Sequence, residues 1–169
     1  MRSLKCLKEF EEYGLMNVEE LNVEGWDLHR AAKKNRADIS VVLIARKDDV
    51  NASNTDDGGR RPLHIAAEHN SIEVARLLIE HCADVNLDAT TDWFEKPLHA
   101  AASENSLEVA LLLIEHGADV EAEDVLGQTP LHWATTYESL EVAKLLIEHG
   151  ANVDAKAECS EPRDSRPLH

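Results

Sequence analysis

The sequence predicts an all-α solenoid of stacked helix-turn-helix units joined by β-hairpin loops, and two observations carry that prediction. A tetrapeptide recurs as Trp26-Asp27-Leu28-His29, Arg61-Pro62-Leu63-His64, Lys96-Pro97-Leu98-His99, Thr129-Pro130-Leu131-His132 and Arg166-Pro167-Leu168-His169, with histidine spacings of 35, 35, 33 and 37 residues. A second block, Glu-Val-Ala-x-Leu-Leu-Ile-Glu-His, recurs at 73–81, 108–116 and 141–149, each time ending 17 residues after the first histidine. A fixed distance inside the unit and a variable one outside it marks rigid helix pairs joined by tolerant loops.

Each element has a local reason. Pro62, Pro97 and Pro130 stand at the first helical position, where the missing N–H is one that no helix satisfies anyway. A short first helix is predicted over Pro62–Glu68, with Ala66 and Ala67 small enough for a neighbouring backbone to approach. A polar turn at 69–71 leads into a second helix over Ile72–Glu80, whose Val74, Ala75, Leu77, Leu78 and Ile79 spread over a face wide enough to be covered on two sides. Gly117 and Gly150 fall just past the second helix, where a left-handed residue closes it. Lys47 and Cys82 take that place in the earlier copies, at a cost of about 1 kcal/mol each.

Together these blocks resemble the ankyrin repeat, whose Thr-Pro-Leu-His-x-Ala-Ala and Leu-Leu-x-x-Gly-Ala-Asp-Val-Asn motifs are matched best over 124–154. The resemblance implies four repeats, at about 21–55, 56–88, 91–123 and 124–156, together spanning 26–155 beyond a degenerate, helical N-terminal cap over 1–25. It makes Leu28, His29, Pro62, His64, Pro97, His99, Thr129, Pro130, His132, Gly117 and Gly150 structural, the motif Thr and His linking neighbouring turns. Only Thr129 keeps that Thr; Arg61 and Lys96 replace it, so those junctions are expected to lose that bond and a side-chain N-cap. His81, His116 and His149 are expected to end the outer helices, where a cation is mildly favourable. The resemblance also places Asn51 and Asn86 where asparagine hydroxylation occurs in animal ankyrin repeats.

Leu4, Leu7 and Phe10 share one helical stripe before Gly14, with glutamates on the other face, which suits a cap; a frayed leader is the alternative. At the other end, 157–169 is a polar connector and the start of an incomplete fifth repeat, too short to form its helix. That start favours an array cut from a longer one, and the last complete repeat would then lack part of its cover.

Composition bounds the function. The 169 residues carry a formal net charge of −16, which opposes binding to nucleic acid or to an anionic membrane. No apolar run reaches the roughly 18 residues of a membrane span, and residues 1–10 hold no signal-like apolar stretch. Cys6, Cys82 and Cys159 are odd in number and far apart, so a reducing, cytoplasmic setting is expected, with a nuclear or effector-secreted one left open. HExxH, GxSxG, GxxxxGK[ST] and GxGxxG are absent, and the oxygen-rich segment 51–58 lacks the spacing of a calcium loop. We therefore expect no enzyme activity, no metal and no cofactor.

Positions that differ between copies are free of the repeat's own constraint. In the ankyrin family, partner surfaces lie on the connectors and the inner helices. Here those positions supply Trp93, Phe94 and Glu95 in the second connector, Leu126 and Gln128 in the third, and Asp57 in the first. Glu104, Trp133, Thr136 and Tyr137 come from the inner helices. Aromatics with charged neighbours are typical interface anchors, though Trp93 and Phe94 could instead fold over the hairpin, and Trp133 and Tyr137 could pack on the adjacent helix. Residues 26–60 are net +1, while 61–155 are net −14, which suits either steering of a basic partner or plain solubility.

The reading that follows is a monomeric, non-catalytic protein-interaction module or scaffold that binds a protein partner, with a basic surface on that partner. The alternatives are a targeting arm of a larger enzyme or bacterial-type effector, and a stand-alone inhibitor of a kinase or transcription factor. Appending a capping repeat after residue 156 is expected to raise the thermal midpoint by several degrees; an unchanged midpoint would contradict an exposed C-terminal edge.

Overall fold

The computed structural model describes residues 21–90, 93 and 95–156. Among these, eight α-helices form four antiparallel pairs: α1 (Leu28–Lys33) with α2 (Ala37–Ala45), α3 (Pro62–Glu68) with α4 (Ile72–Glu80), α5 (Pro97–Ser103) with α6 (Leu107–Glu115), and α7 (Pro130–Thr136) with α8 (Leu140–Glu148). The odd-numbered helices stack in an inner row and the even-numbered ones in an outer row, each touching its own partner and its counterparts before and after. The expected helices over 62–68 and 72–80 are present with those bounds. Most of the expected N-terminal cap (residues 1–20) and the whole of 157–169 lie outside the described residues.

The inner row packs through alanine. Ala31, Ala32, Ala66, Ala67, Ala101 and Ala102 are all 0% exposed, so successive inner helices approach backbone to backbone. Three of these helices begin on proline, each preceded by an extended residue. The first does not. Asp27 stands where the others have proline, so it becomes the N-cap, its carboxylate accepts the Arg30 N–H at 2.7 Å, and α1 starts one residue later.

The turn between inner and outer helices needs a left-handed residue, and Asn35, Asn70 and Asn105 supply it at φ 49°, 49° and 53°, with Glu138 at 57° in the last pair. The same asparagines reach the next outer helix. Asn35 donates to Glu73 at 2.6 Å and Asn105 to Glu141 at 2.5 Å, while Asn70 and Asn105 accept from the N–H groups of Val109 and Val142 at 3.3 and 3.2 Å. Buried Ser71 donates to Ala32 O at 2.6 Å and ties the first two pairs together.

The connectors have the shape of hairpins without being strands. Each is closed by a backbone bond across its base, Asn54 N–H to Arg60 O (3.1 Å), Ala89 N–H to Glu95 O (2.9 Å) and Asp124 N–H to Gln128 O (3.0 Å), and the first also by Gly59 N–H to Asn54 O (2.7 Å). Only the first counts as a β-bridge among the described residues, so the expected β-hairpin loops are tight turns rather than ladders. Their tips join edge to edge, Thr90 N–H donating to Gly59 O at 2.8 Å and Val125 N–H to Trp93 O at 2.9 Å. Gly59 has no room for a side chain, because at its φ of +78° a Cβ would fall 2.2 Å from Thr90 Oγ1.

At the outer-helix ends, His116 and His149 donate from Nδ1 to the carbonyls of Leu112 and Leu145, both at 2.8 Å. Gly117 and Gly150 follow at φ 88° and 92°, and a Cβ there would meet nothing within 4 Å. The constraint is therefore dihedral, not steric. Lys47 and Cys82 occupy the same place at φ 70°. The last described pair leaves Ile147 48% and Val153 64% exposed, beside a hollow of about 300 Å³ lined also by Leu131 and Ala143. In urea unfolding, Lys47→Gly and Cys82→Gly are each expected to stabilise the fold by about 1 kcal/mol, and no gain would show that those turns carry no strain.

Candidate functional site

The site rests on a ladder of imidazoles, the first three buried and the last half-buried. His29, His64, His99 and His132 each donate from Nε2 to a backbone carbonyl of the following connector: Arg60 O at 3.0 Å, and Glu95 O, Gln128 O and Ala155 O at 2.9 Å. In the last three, Nδ1 accepts the N–H of the helix N-cap (Arg61, Lys96 and Thr129), which leaves the proton on Nε2. Thr129 adds its hydroxyl to Nδ1 at 2.8 Å. Arg61 and Lys96 lack that bond, as expected, but hold the junction another way. Arg61 donates to Asp88 O (2.8 Å) and Asn51 O (2.5 Å), and Lys96 to the Asp88 carboxylate (2.6 Å). Burial pushes the His64 imidazole down to about 4, against the opposing pull of the Glu95 carbonyl and charge. Burial lowers His99 as well.

With the connectors pinned, their tips and the inner-helix ends enclose a half-open groove of about 440 Å³. It brings together eight of the ten residues singled out from the sequence: Trp93, Glu95, Glu104, Leu126, Gln128, Trp133, Thr136 and Tyr137. Phe94 lies outside the described residues. Asp57 does not join them; it sits in a short 3-10 turn (Thr55–Asp57) of the first connector, accepting from Asn54 Nδ2 at 3.1 Å.

The residues in the groove do different work. Trp93 and Tyr137 are 53% and 57% exposed, and Leu126 also faces solvent. Trp133 is half-buried: it meets His99 edge-on at 5.4 Å and Tyr137 tilted at 6.0 Å. Thr136 turns its hydroxyl back to His132 O at 2.9 Å. Glu95, considered above as a surface contact, is 1% exposed, and its carboxylate accepts from Arg60 Nε at 3.1 Å. Arg60 spans from there to Glu68 at 2.9 Å, so one guanidinium bridges two carboxylates in the groove wall.

Sequence reasoning missed Asp124. Its buried carboxylate takes the N–H groups of Leu126 (2.8 Å) and Gln128 (2.9 Å) on one oxygen and Trp133 Nε1 (2.9 Å) on the other. It thereby shapes the turn and aims the indole. The Asp-x-x-Gly spacing of Asp124 and Gly127 is a turn signature that carried the signal. Asn51 and Asn86 lie away from the groove. Each accepts the next repeat's N–H, from Asp84 at 3.0 Å and Asp119 at 2.9 Å, and Asn86 also donates to Gly117 O at 3.0 Å.

The stacked pairs, the imidazole ladder and the concave groove define a helical repeat solenoid. The family model for ankyrin repeats (3 copies) matches residues 3–91 and 85–157, and the chain belongs to the ankyrin-repeat family. No curated protein matches the chain. Ankyrin repeats are generally protein–protein interaction modules and are typically non-catalytic. Among the described residues no helix is long and apolar enough to cross a membrane, and no three His, Cys, Asp or Glu side chains gather as metal ligands.

The low value at His64 fixes the sign of a pH effect. The unfolded chain binds the proton more readily, so stability is retained above about 6.5 and falls as the pH drops toward about 4. Between pH 7 and pH 5, this site is expected to remove about 2 kcal/mol from the wild type relative to His64→Gln, measured by urea unfolding. Parallel losses in the two proteins would refute that assignment.

Proposed function

We propose that this chain is a non-catalytic module that holds a protein partner in the groove formed by the second and third connectors and the inner-helix ends α5 and α7. The observation that carries the reading is the convergence, in one concave surface, of exposed apolar and aromatic side chains drawn from non-repeating positions. A monomer spends exposed aromatic area of this kind on contacts with something else. The acidic balance of repeats two to four supports a partner with a basic surface, drawn in by long-range attraction and docked faster at low salt. We place the protein in the cytoplasm on the strength of its cysteine spacing.

Affinity capture from cell extract followed by mass spectrometry tests the reading. Trp93→Ala with Tyr137→Ala is expected to lose the partner retained by the wild type by at least tenfold, with the thermal midpoint unchanged within about 2 °C because both side chains are exposed. Equal recovery of every captured protein on both baits would overturn the proposal.

A further inference from the structure

The groove's charges are not equally available. Glu68 and Glu95 are bound to Arg60, and Asp124 is satisfied by two backbone N–H groups and an indole. Among the described residues lining the groove, that leaves Glu104, which is exposed and makes no side-chain hydrogen bond or ion pair within the described structure. Its place in the repeat matters. Lys34, His69, Glu104 and Tyr137 are the C-cap residues of the four inner helices, so Glu104 and Tyr137 are successive members of one row. Stacked helices stand about 8–10 Å apart. A carboxylate and an exposed phenol ring on adjacent rungs at that spacing leave room for one flat cation between them.

We infer, resting on the function proposed above, that the partner presents an arginine beside an apolar residue, its guanidinium lying on Tyr137 and forked onto Glu104. Arginine fits better than lysine because the guanidinium is planar, stacks on aromatic faces and pairs with a carboxylate through two parallel bonds. The protein already uses this combination internally. Arg30 and Arg36 lie over the Trp26 ring at 4.6 and 5.6 Å, and Asp38 grips Arg36 through bonds of 2.9 and 2.6 Å. In the groove the aromatic and the acid are both present, while the cation of the described wall, Arg60, is already engaged by Glu68 and Glu95. The apolar neighbour of the arginine covers Leu126 and the exposed face of Trp93.

A random peptide library displayed on phage and selected on the full chain tests this. Selected peptides are expected to be enriched in arginine adjacent to Leu, Ile, Phe or Trp. For the best synthetic peptide, Glu104→Gln and Tyr137→Ala are each expected to raise Kd about tenfold, and replacing its arginine by lysine about fivefold, with the far-UV spectrum of each variant unchanged. Peptides that bind without an arginine bias, lose affinity on Trp93→Ala, and keep their Kd within twofold on Glu104→Gln would overturn the arginine inference while leaving the groove as the binding surface. Peptides indifferent to Trp93→Ala, Leu126→Asp and Glu104→Gln alike, or a library that yields no binder, would overturn both.

Discussion

Each helix pair in this protein is tied to the next connector by an imidazole, and the geometry of the concave face follows from that bond. A buried His can serve two neighbours at once: one ring nitrogen accepts from the start of its own helix, the other donates to a carbonyl of the following repeat. Burial keeps the ring neutral, which makes the two roles compatible. Without that link a connector would be held only by its own short turn, its bond to the neighbouring tip and the Arg61 or Lys96 side chain. The alanine row supplies the close approach that lets the imidazole reach across. Packing and polar satisfaction therefore depend on each other: small residues bring the inner helices together, and the imidazoles fix how far each connector leans.

The groove is what remains once these repeated bonds are satisfied. Its wall contains a second, non-repeating polar layer, in which Arg60 bridges Glu68 and Glu95 while Asp124 holds the Trp133 indole. That layer gives the exposed aromatics a firm base. Removing Arg60 would leave a nearly fully buried carboxylate without that partner, so the pair is part of the wall's construction and not an optional surface contact.

Much of this was legible in the sequence, because a repeat is compared with itself. Proline positions, the two histidines and the C′ glycines placed the helix pairs, and the left-handed angles at Lys47 and Cys82 match the expectation that they stand in for glycine. The non-repeating residues clustered as a group for the same reason. What the sequence concealed was the direction in which each side chain points. Glu95 sits in a variable connector beside Trp93, and nothing in the chain order shows that its carboxylate turns inward to an arginine 35 residues earlier. Asp124 was hidden by its ordinariness in a chain with 33 acidic residues. Asp57 belongs to the right class of loop but to the wrong connector. The late start of α1 was equally unreadable, since it turns on whether Asp27 behaves as a substitute for proline or as a cap.

The uneven charge along the stack has one more consequence. Because the repeats are laid end to end, a near-neutral first repeat and strongly acidic later ones amount to a permanent electric dipole along the solenoid's axis. A cationic surface approaching from any side exerts a torque before it makes contact, turning the acidic end toward itself. On the binding proposed above, the molecule would arrive already turned, and fewer orientations would have to be searched before the groove is met.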